Sequence, residues 1–346
     1  MSDKSKIEWT EATWNPLRGC SKVSDGCRNC YAETVANRFS GPDQPYEGTI
    51  TDGRWNGHIR LVLEVLNKPI RWRRPRLIFV NSMSDLFHPE VPQAYIDKVF
   101  AVMALAPQHT FQILTKRPER MLHYLQGLEK RGARQVLADT AEAVTGDEDA
   151  GIFVANRIGA GATSKPGWPL KNAWLGVSVE NQKAADERIP LLLQTPAAVR
   201  WLSCEPLLGP IDLQYPDTSN PPTYCCNGRE CGCMGLPIDP PLIFGIDWIV
   251  AGGESGHRAR PMIPDWARSL RDQCQAAGVP FLFKQWGEWR QTHDLCAGQP
   301  GYVGKLWYTW DPDTSMCRIG KAAAGRELDG RTWDEYPQIN ERKMRA

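Results

Sequence analysis

The chain has 346 residues, 42% of them hydrophobic, which is enough for a large core. Its 41 Lys and Arg nearly cancel its 40 Asp and Glu, so no global field draws it to nucleic acid or an anionic membrane and only local patches remain open. Apolar runs such as LIFV at 77–80 fall far short of the roughly 18 residues a membrane helix needs, and MSDKSKIEWTEATW has no signal-peptide hydrophobic region; a cytoplasmic protein with no membrane partner is expected.

The first marked element is LRGCSKVSDGCRNCYAE, residues 17–33, which sets Cys20, Cys27 and Cys30 among Gly, Ser and Asp. Eleven cysteines in a long leaderless chain point to metal ligation rather than to a disulfide scaffold. Thiolates hold structural Zn through four ligands and iron-sulfur clusters through up to four cysteines, so three close cysteines leave one position open. Either a distant residue fills it, or a substrate or cofactor binds there. Tyr31 follows the Cys27–Cys30 pair where a haem attachment site would have histidine.

Short β-rich runs follow: RLIFVNSMSDLF (76–87), TFQILTKRP (110–118), AWLGVSVEN (173–181), VRWLSCEPLLGPI (199–211), DWIVAGGESG (247–256) and PFLFKQWGEW (280–289), with IRLVLEVL (59–66) as a further candidate strand. Each begins apolar and ends polar or small, as strands buried on both faces of a parallel sheet do. Between them PQAYIDKVFAVMALAP and IPDWARSLRDQCQAAG read as amphipathic helices, the second with Pro264 near its start and Gly278 near its stop. Six to eight such units predict an α/β fold, a full or partial (β/α) barrel over 1–290. Stretches at about 129–172 and 212–243 read as insertions, and 291–346 as an irregular extension packed on the barrel.

Polar groups recur where strands end: Asn81, Ser82 and Asp85; Thr115, Lys116 and Arg117; Ser178, Glu180 and Asn181; Cys204 and Glu205; and Glu254 in AGGESG. Strand ends are where barrels assemble their sites. Carboxylates there suit an ammonium or a ribose, and Lys116 or Arg117 a carboxylate or phosphate. Gly252 and Gly253 read as a sharp backbone turn, with no dinucleotide fingerprint around them. Cys225, Cys226, Cys231 and Cys233 form a second group, a candidate Zn or second-cluster site. Strand-end cations with Trp286 and Trp289 make a nucleotide or nucleic-acid substrate a candidate. A barrel hydrolase using Asp85, His88 and Glu205 lacks any HxH or HExxH pattern.

A three-cysteine loop near the N-terminus, an aromatic residue and helix after the last cysteine (CYAETVANRF), and a βα series resemble the radical S-adenosylmethionine (SAM) enzymes. WNPLRGCSKVSDGCRNCYAE, FVNSMSDLFHPEVP, ILTKRPERM, WLGVSVENQ, LSCEPLLGPI, WIVAGGESGHRARPM, FLFKQWGEW and GRELDGRTWDEYP together are similar to a phage-associated, three-cysteine-motif family of radical-SAM-like proteins. One departure is the six residues between Cys20 and Cys27, where the common spacing is three.

The resemblance implies a radical-SAM type of barrel in which Cys20, Cys27 and Cys30 hold three irons of a [4Fe-4S] cluster and SAM chelates the fourth. It implies reductive cleavage of SAM to a 5'-deoxyadenosyl radical, a flavodoxin- or ferredoxin-like electron donor, and a dedicated partner protein as a further candidate. Asn81, Ser82, Asp85, Lys116, Arg117, Ser178, Glu180, Asn181 and Glu254 are then the candidate cofactor-binding set. Cys204, with Glu205 beside it, is a candidate catalytic hydrogen donor of the kind the spore photoproduct lyases use. The expected activity is modification or repair of a nucleic-acid base or nucleotide, in a host cytoplasm if the chain is phage-encoded. The competing expectation is a Zn-stabilised binding or assembly protein without catalysis.

Overall fold

The computed structural model describes residues 4–159, 167–214, 241–292 and 305–338. Seven strands, β1 (Ala12–Trp14), β2 (Leu77–Val80), β3 (Thr110–Thr115), β4 (Ala173–Ser178), β5 (Val199–Cys204), β6 (Trp248–Gly252) and β7 (Phe281–Gln285), form one sheet in chain order. The pairings β1–β2, β2–β3, β3–β4, β5–β6 and β6–β7 are all parallel. A doubly wound sheet reverses its strand order at a switch point. Here the order never reverses, which is the topology of a singly wound βα series and is compatible with a partial (β/α) barrel.

The chain divides into two compact units, residues 1–178 with 191–200, and residues 179–190 with 201–346. In the first, strands alternate with helices α1 (Tyr31–Arg38), α2 (Lys68–Arg71), α3 (Gln93–Leu105), α4 (Pro118–Lys130), α5 (Ala133–Thr145) and α6 (Glu148–Ile158). Its core is aromatic: Trp14, Phe87, Phe100 and Phe111 are buried, and the Trp14 indole donates to the Val65 carbonyl at 3.0 Å. That bond lets a large side chain bury its area without stranding its N–H.

β1 escaped the sequence reading because ATW is too short to show periodicity. IRLVLEVL, read as a sheet strand, does not enter the sheet. Its Arg60–Leu61 pairs antiparallel with Leu17–Arg18 and Leu63–Val65 is a 3-10 turn. The stretch 129–172 carries the whole of α5 and α6, whose Ala, Leu, Val and Ile positions form a buried stripe of Leu137, Ala138, Ala141, Val154 and Ile158.

In the second unit, α8 (Pro264–Ala277) starts with proline in its first turn and stops at Gly278 with φ of 67°, the left-handed conformation a glycine adopts without a Cβ clash. α7 (Gln182–Gln194) begins in this unit. Trp289–Gln291, Thr314–Arg318 and Trp307–Asp311 build a three-stranded antiparallel sheet, and Glu327–Leu328 pairs with Arg331–Thr332. Regular pairing therefore replaces much of the irregular extension expected there; strands of two to five residues broken by Gly and Asp leave little pattern to read. Trp286 and Trp289 are core residues, 3% and 4% exposed, with indole N–H groups donated to the carbonyls of Glu327 and Ala259. They offer no face for a base to stack on.

Candidate functional site

The three-cysteine loop leaves the C-terminal end of β1 in the first unit, and local geometry explains its punctuation. Gly19 has φ of 95°, and a Cβ there would lie 2.1 Å from the His58 carbonyl oxygen, so only glycine lets the chain pass before Cys20. Cys27 ends a 3-10 turn, Asp25–Cys27, and Cys30 is the N-cap of α1. All three thiols are free and half-buried.

The thiols feel one another without converging. Burial first, then the charge of Asp85, pushes the Cys20 thiol up to about 12, with Cys30 and Cys27 adding repulsion and Arg117 opposing it. Cys30 is also raised by burial, against donation from the backbone N–H groups of Glu33 and Ala32 and from the Trp55 indole. The Trp55 contact is too long or too bent for strict hydrogen-bond geometry, and that buried N–H has no other acceptor. It is nevertheless close enough to favour the Cys30 thiolate, in a packed cluster that holds both residues. Among the described residues, no group of three His, Cys, Asp or Glu could hold a single metal ion.

Asp85, at the end of the β2 segment, organises the neighbourhood. Its carboxylate accepts from the Phe87 N–H at 2.9 Å, Thr115 Oγ1 at 2.8 Å, the Lys116 N–H at 3.2 Å and Arg117 Nη1 at 2.8 Å. Arg117 Nη2 reaches the Ser21 carbonyl at 3.0 Å and Ser21 Oγ at 2.9 Å. His88 Nε2 lies 2.7 Å from the same hydroxyl, and His88 Nδ1 accepts the Glu90 N–H at 3.3 Å. A donor on Nδ1 leaves the proton of neutral His88 on Nε2. Burial first, then Arg117, lowers His88 to about 4.

Asn81 follows β2 with φ of 59°; it is 3% exposed, and neither its Oδ1 nor its Nδ2 has a hydrogen-bond partner. A buried amide left unsatisfied at both ends is costly in an apolar interior and needs an explanation. Ser82 donates to Asn15 Oδ1 at 3.1 Å, and its carbonyl accepts the Tyr31 hydroxyl at 2.6 Å. Lys116 is half-buried and Ser178 buried.

The remaining candidates belong to the second unit. Glu180, 1% exposed, is paired with Arg188 at 2.8 Å, and Asn181 accepts the Ala184 N–H, the bond of a helix cap at the start of α7. Glu205 takes Lys284 Nζ on both oxygens, at 2.9 and 2.8 Å, and Gln285 Nε2 at 3.0 Å. Glu254 takes the Arg260 backbone N–H, Nε and Nη2 at 2.8, 2.9 and 2.6 Å. Cys204 is fully buried, and burial with the Glu180 charge raises its thiol far above the ordinary range. Gly253 serves a close crossing rather than a turn: a Cβ there would meet the Trp286 carbonyl oxygen at 2.0 Å. Cys225, Cys226, Cys231 and Cys233 lie outside the described residues.

Sequence reading singled out Asp85 and Arg117 as separate ligands, whereas they are each other's partners. It missed Ser21, Trp55, Arg188 and Arg260. The signal for the arginines was faint: each is one cation somewhere after an acidic strand end, and only the tertiary fold says which acid it meets.

No helix among the described residues is long and apolar enough to cross a membrane. No curated protein and no solved structure matches the chain. The model of a family described as "protein of unknown function (DUF5131)" matches residues 4–337. That match covers nearly the whole sequence, and the chain therefore belongs to the DUF5131 family.

Proposed function

We propose that this chain is a radical-SAM enzyme of phage or prophage type, with Cys20, Cys27 and Cys30 as ligands of a [4Fe-4S] cluster. The observation that carries the reading is the set of three free, half-buried thiols on one braced loop, close enough that Cys27 and Cys30 act on Cys20. Three close cysteines leave a structural Zn one ligand short, while a cubane binds each through a different iron and leaves its fourth iron for another ligand. The residues fit such a group in a second respect, since the charge of Arg117 acts on Cys20 against its burial, and the backbone N–H groups of Ala32 and Glu33 with the nearby Trp55 indole do the same for Cys30. These donors favour thiolates, the form that ligates metal.

With cluster and SAM bound, the chemistry supplied would be one-electron cleavage of SAM to a carbon radical that takes hydrogen from the substrate. Of the candidate cofactor ligands, the unsatisfied Asn81 amide has both a donor and an acceptor to offer. Asp85 and Arg117 act instead as braces, because their bonds are spent on each other and on Ser21. Cys204 keeps its proton, the condition for an S–H hydrogen donor. A nucleotide or nucleic-acid base as substrate and a flavodoxin- or ferredoxin-like reductant complete the reading.

Anaerobic reconstitution with iron and sulfide, followed by electron paramagnetic resonance of the reduced protein, tests it. A cluster signal that changes on adding SAM is expected. An iron-free, colourless product or stoichiometric Zn would overturn the reading and favour a Zn-stabilised binding protein.

A further inference from the structure

In the first unit, α2 and the chain that follows it read KPIRWRRPR, residues 68–76, and no Asp or Glu occurs anywhere from Asn67 to Val80. Lys68, Arg71, Arg73 and Arg74 are exposed. Among the described residues, none of the four makes a side-chain hydrogen bond or an ion pair. Surface arginines ordinarily find carboxylates, so four cations within seven positions with no acid answering them make a concentrated local field in a chain whose net charge is only +1.

The segment is held rigidly beneath these cations. Gln108 Nε2 donates to the Trp72 carbonyl at 2.9 Å, His109 Nε2 lies 3.1 Å from the Pro69 carbonyl, and the Thr110 N–H donates to the Arg76 carbonyl at 2.9 Å. The Trp72 ring is engaged by the Arg76 guanidinium, 4.7 Å from its centroid, and by the His109 ring in an edge arrangement at 6.0 Å. Presenting charges on an ordered backbone lowers the entropy lost when a polyanion lands on them. The segment enters β2 and is tied to the start of β3, so it lies at the N-terminal edge of these strands, away from the loop that carries the cysteines.

We propose that Lys68, Arg71, Arg73 and Arg74 form a docking surface for the phosphodiester backbone of nucleic acid. Guanidinium forks match phosphate oxygens in pairs, and three of the four cations are arginines. Trp72 is half-buried with Arg76 over its ring, so the exposed groups are the four cations, and the surface reads phosphate without reading sequence. An anionic membrane is the less suitable partner, because lasting attachment there needs an apolar face to insert. Within 68–76 the large apolar residues, Ile70 and Trp72, are half-buried. Leu61 and Leu63 are exposed just upstream, which makes vesicles the necessary control.

The surface goes beyond the proposed chemistry and does not depend on it, since binding is measured on protein without cluster or SAM. Fluorescence anisotropy would follow the full-length chain binding a labelled duplex of about 20 base pairs, at several salt concentrations. Log affinity should fall linearly with log salt, and the R71Q/R73Q/R74Q variant should lose about tenfold or more in affinity and about 2.7 in slope. A K130Q/K183Q/K321Q variant, with the same change in net charge at exposed lysines elsewhere, should bind like the parent. Equal losses in both variants, or no loss in the arginine variant, would overturn the proposal. So would binding to phosphatidylserine vesicles, without binding to the duplex, that the arginine substitutions abolish.

Discussion

Arg117 grips Asp85 with one arm of its guanidinium and the cysteine loop with the other: Nη1 donates to Asp85 Oδ2 at 2.8 Å, and Nη2 to Ser21 Oγ at 2.9 Å. Both side chains are about nine-tenths buried. The pair therefore couples the end of the β2 segment to the residue beside Cys20, and removing either partner leaves a buried charge without its counterion. R117A should cost about 3–5 kcal/mol in a denaturant titration, whereas exposed pairs are worth about 1 kcal/mol or less. R117K keeps the charge but not the fork, so it should recover part of the stability and little of the grip on Ser21. If the three cysteines hold the proposed cluster, iron bound per chain after reconstitution should fall in the order parent, R117K, R117A. A stability loss in R117A no larger than that of a surface pair would show that the brace is unimportant.

Trp55 tests the electronics of the same site separately from its stability. W55F keeps an aromatic ring in the cluster of Ala32, Ala36 and Met83 but deletes the N–H beside the Cys30 sulfur. If Cys30 ligates the proposed cluster, an N–H aimed at its sulfur makes that cluster easier to reduce, because it stabilises the added negative charge. A full hydrogen bond, at about 1 kcal/mol, corresponds to about 40 mV for a one-electron couple, which is the upper bound for the looser Trp55 contact. A redox titration of the reconstituted protein should therefore place the W55F midpoint lower by up to that amount, with iron content unchanged. An unchanged midpoint would mean that the indole only fills space.

The sheet was legible because its strands announce themselves: LIFV, TFQILT, AWLGVS, VRWLSC, WIVAG and FLFKQ are apolar runs that buried parallel strands require, and each is a strand. ATW was not legible, since three residues carry no period. Alternation misled at IRLVLEVL, where two residues pair with the cysteine loop and the rest turn. At the candidate site the three cysteines stood out by spacing alone. The Asp85–Arg117 pair could not, because their partnership bridges 32 residues and depends on two strands ending side by side. Trp55 likewise reaches Cys30 only through the packing around α1.

The two adjacent glycines in AGGESG make a paired prediction within the second unit. A Cβ at Gly253 would lie 2.0 Å from the Trp286 carbonyl oxygen, a contact no rotamer change relieves. At Gly252 the nearest atom is the Gln285 carbonyl oxygen at 3.3 Å, which a small shift accommodates. G253A should destabilise by about 3 kcal/mol and G252A by about 1 kcal/mol or less. Thermal melts of the two variants decide the matter; equal shifts would mean that the chain crossing at Gly253 yields as readily as its neighbour.

His88 supplies the pH dependence. Its ring is 3% exposed, its Nδ1 accepts the Glu90 N–H, and burial together with Arg117 lowers it to about 4 from its ordinary 6.5. The folded state thus resists protonation that the unfolded chain accepts. Between pH 6.5 and 4 the unfolded state binds the extra proton, so stability falls as the pH falls. The full span is worth up to about 3 kcal/mol at 1.36 kcal/mol per pH unit. Above pH 6.5 the ring is neutral in both states and contributes no slope. H88Q retains a side chain able to hydrogen-bond Ser21 Oγ but does not titrate, so its stability should decline less than the parent's between pH 7 and 4.5. Urea titrations of both proteins at several pH values in that window measure the difference. Parallel lines would assign the acid sensitivity to other groups, while a parent line that steepens below pH 6.5 alone would assign it to the His88 ring beside the cysteine loop.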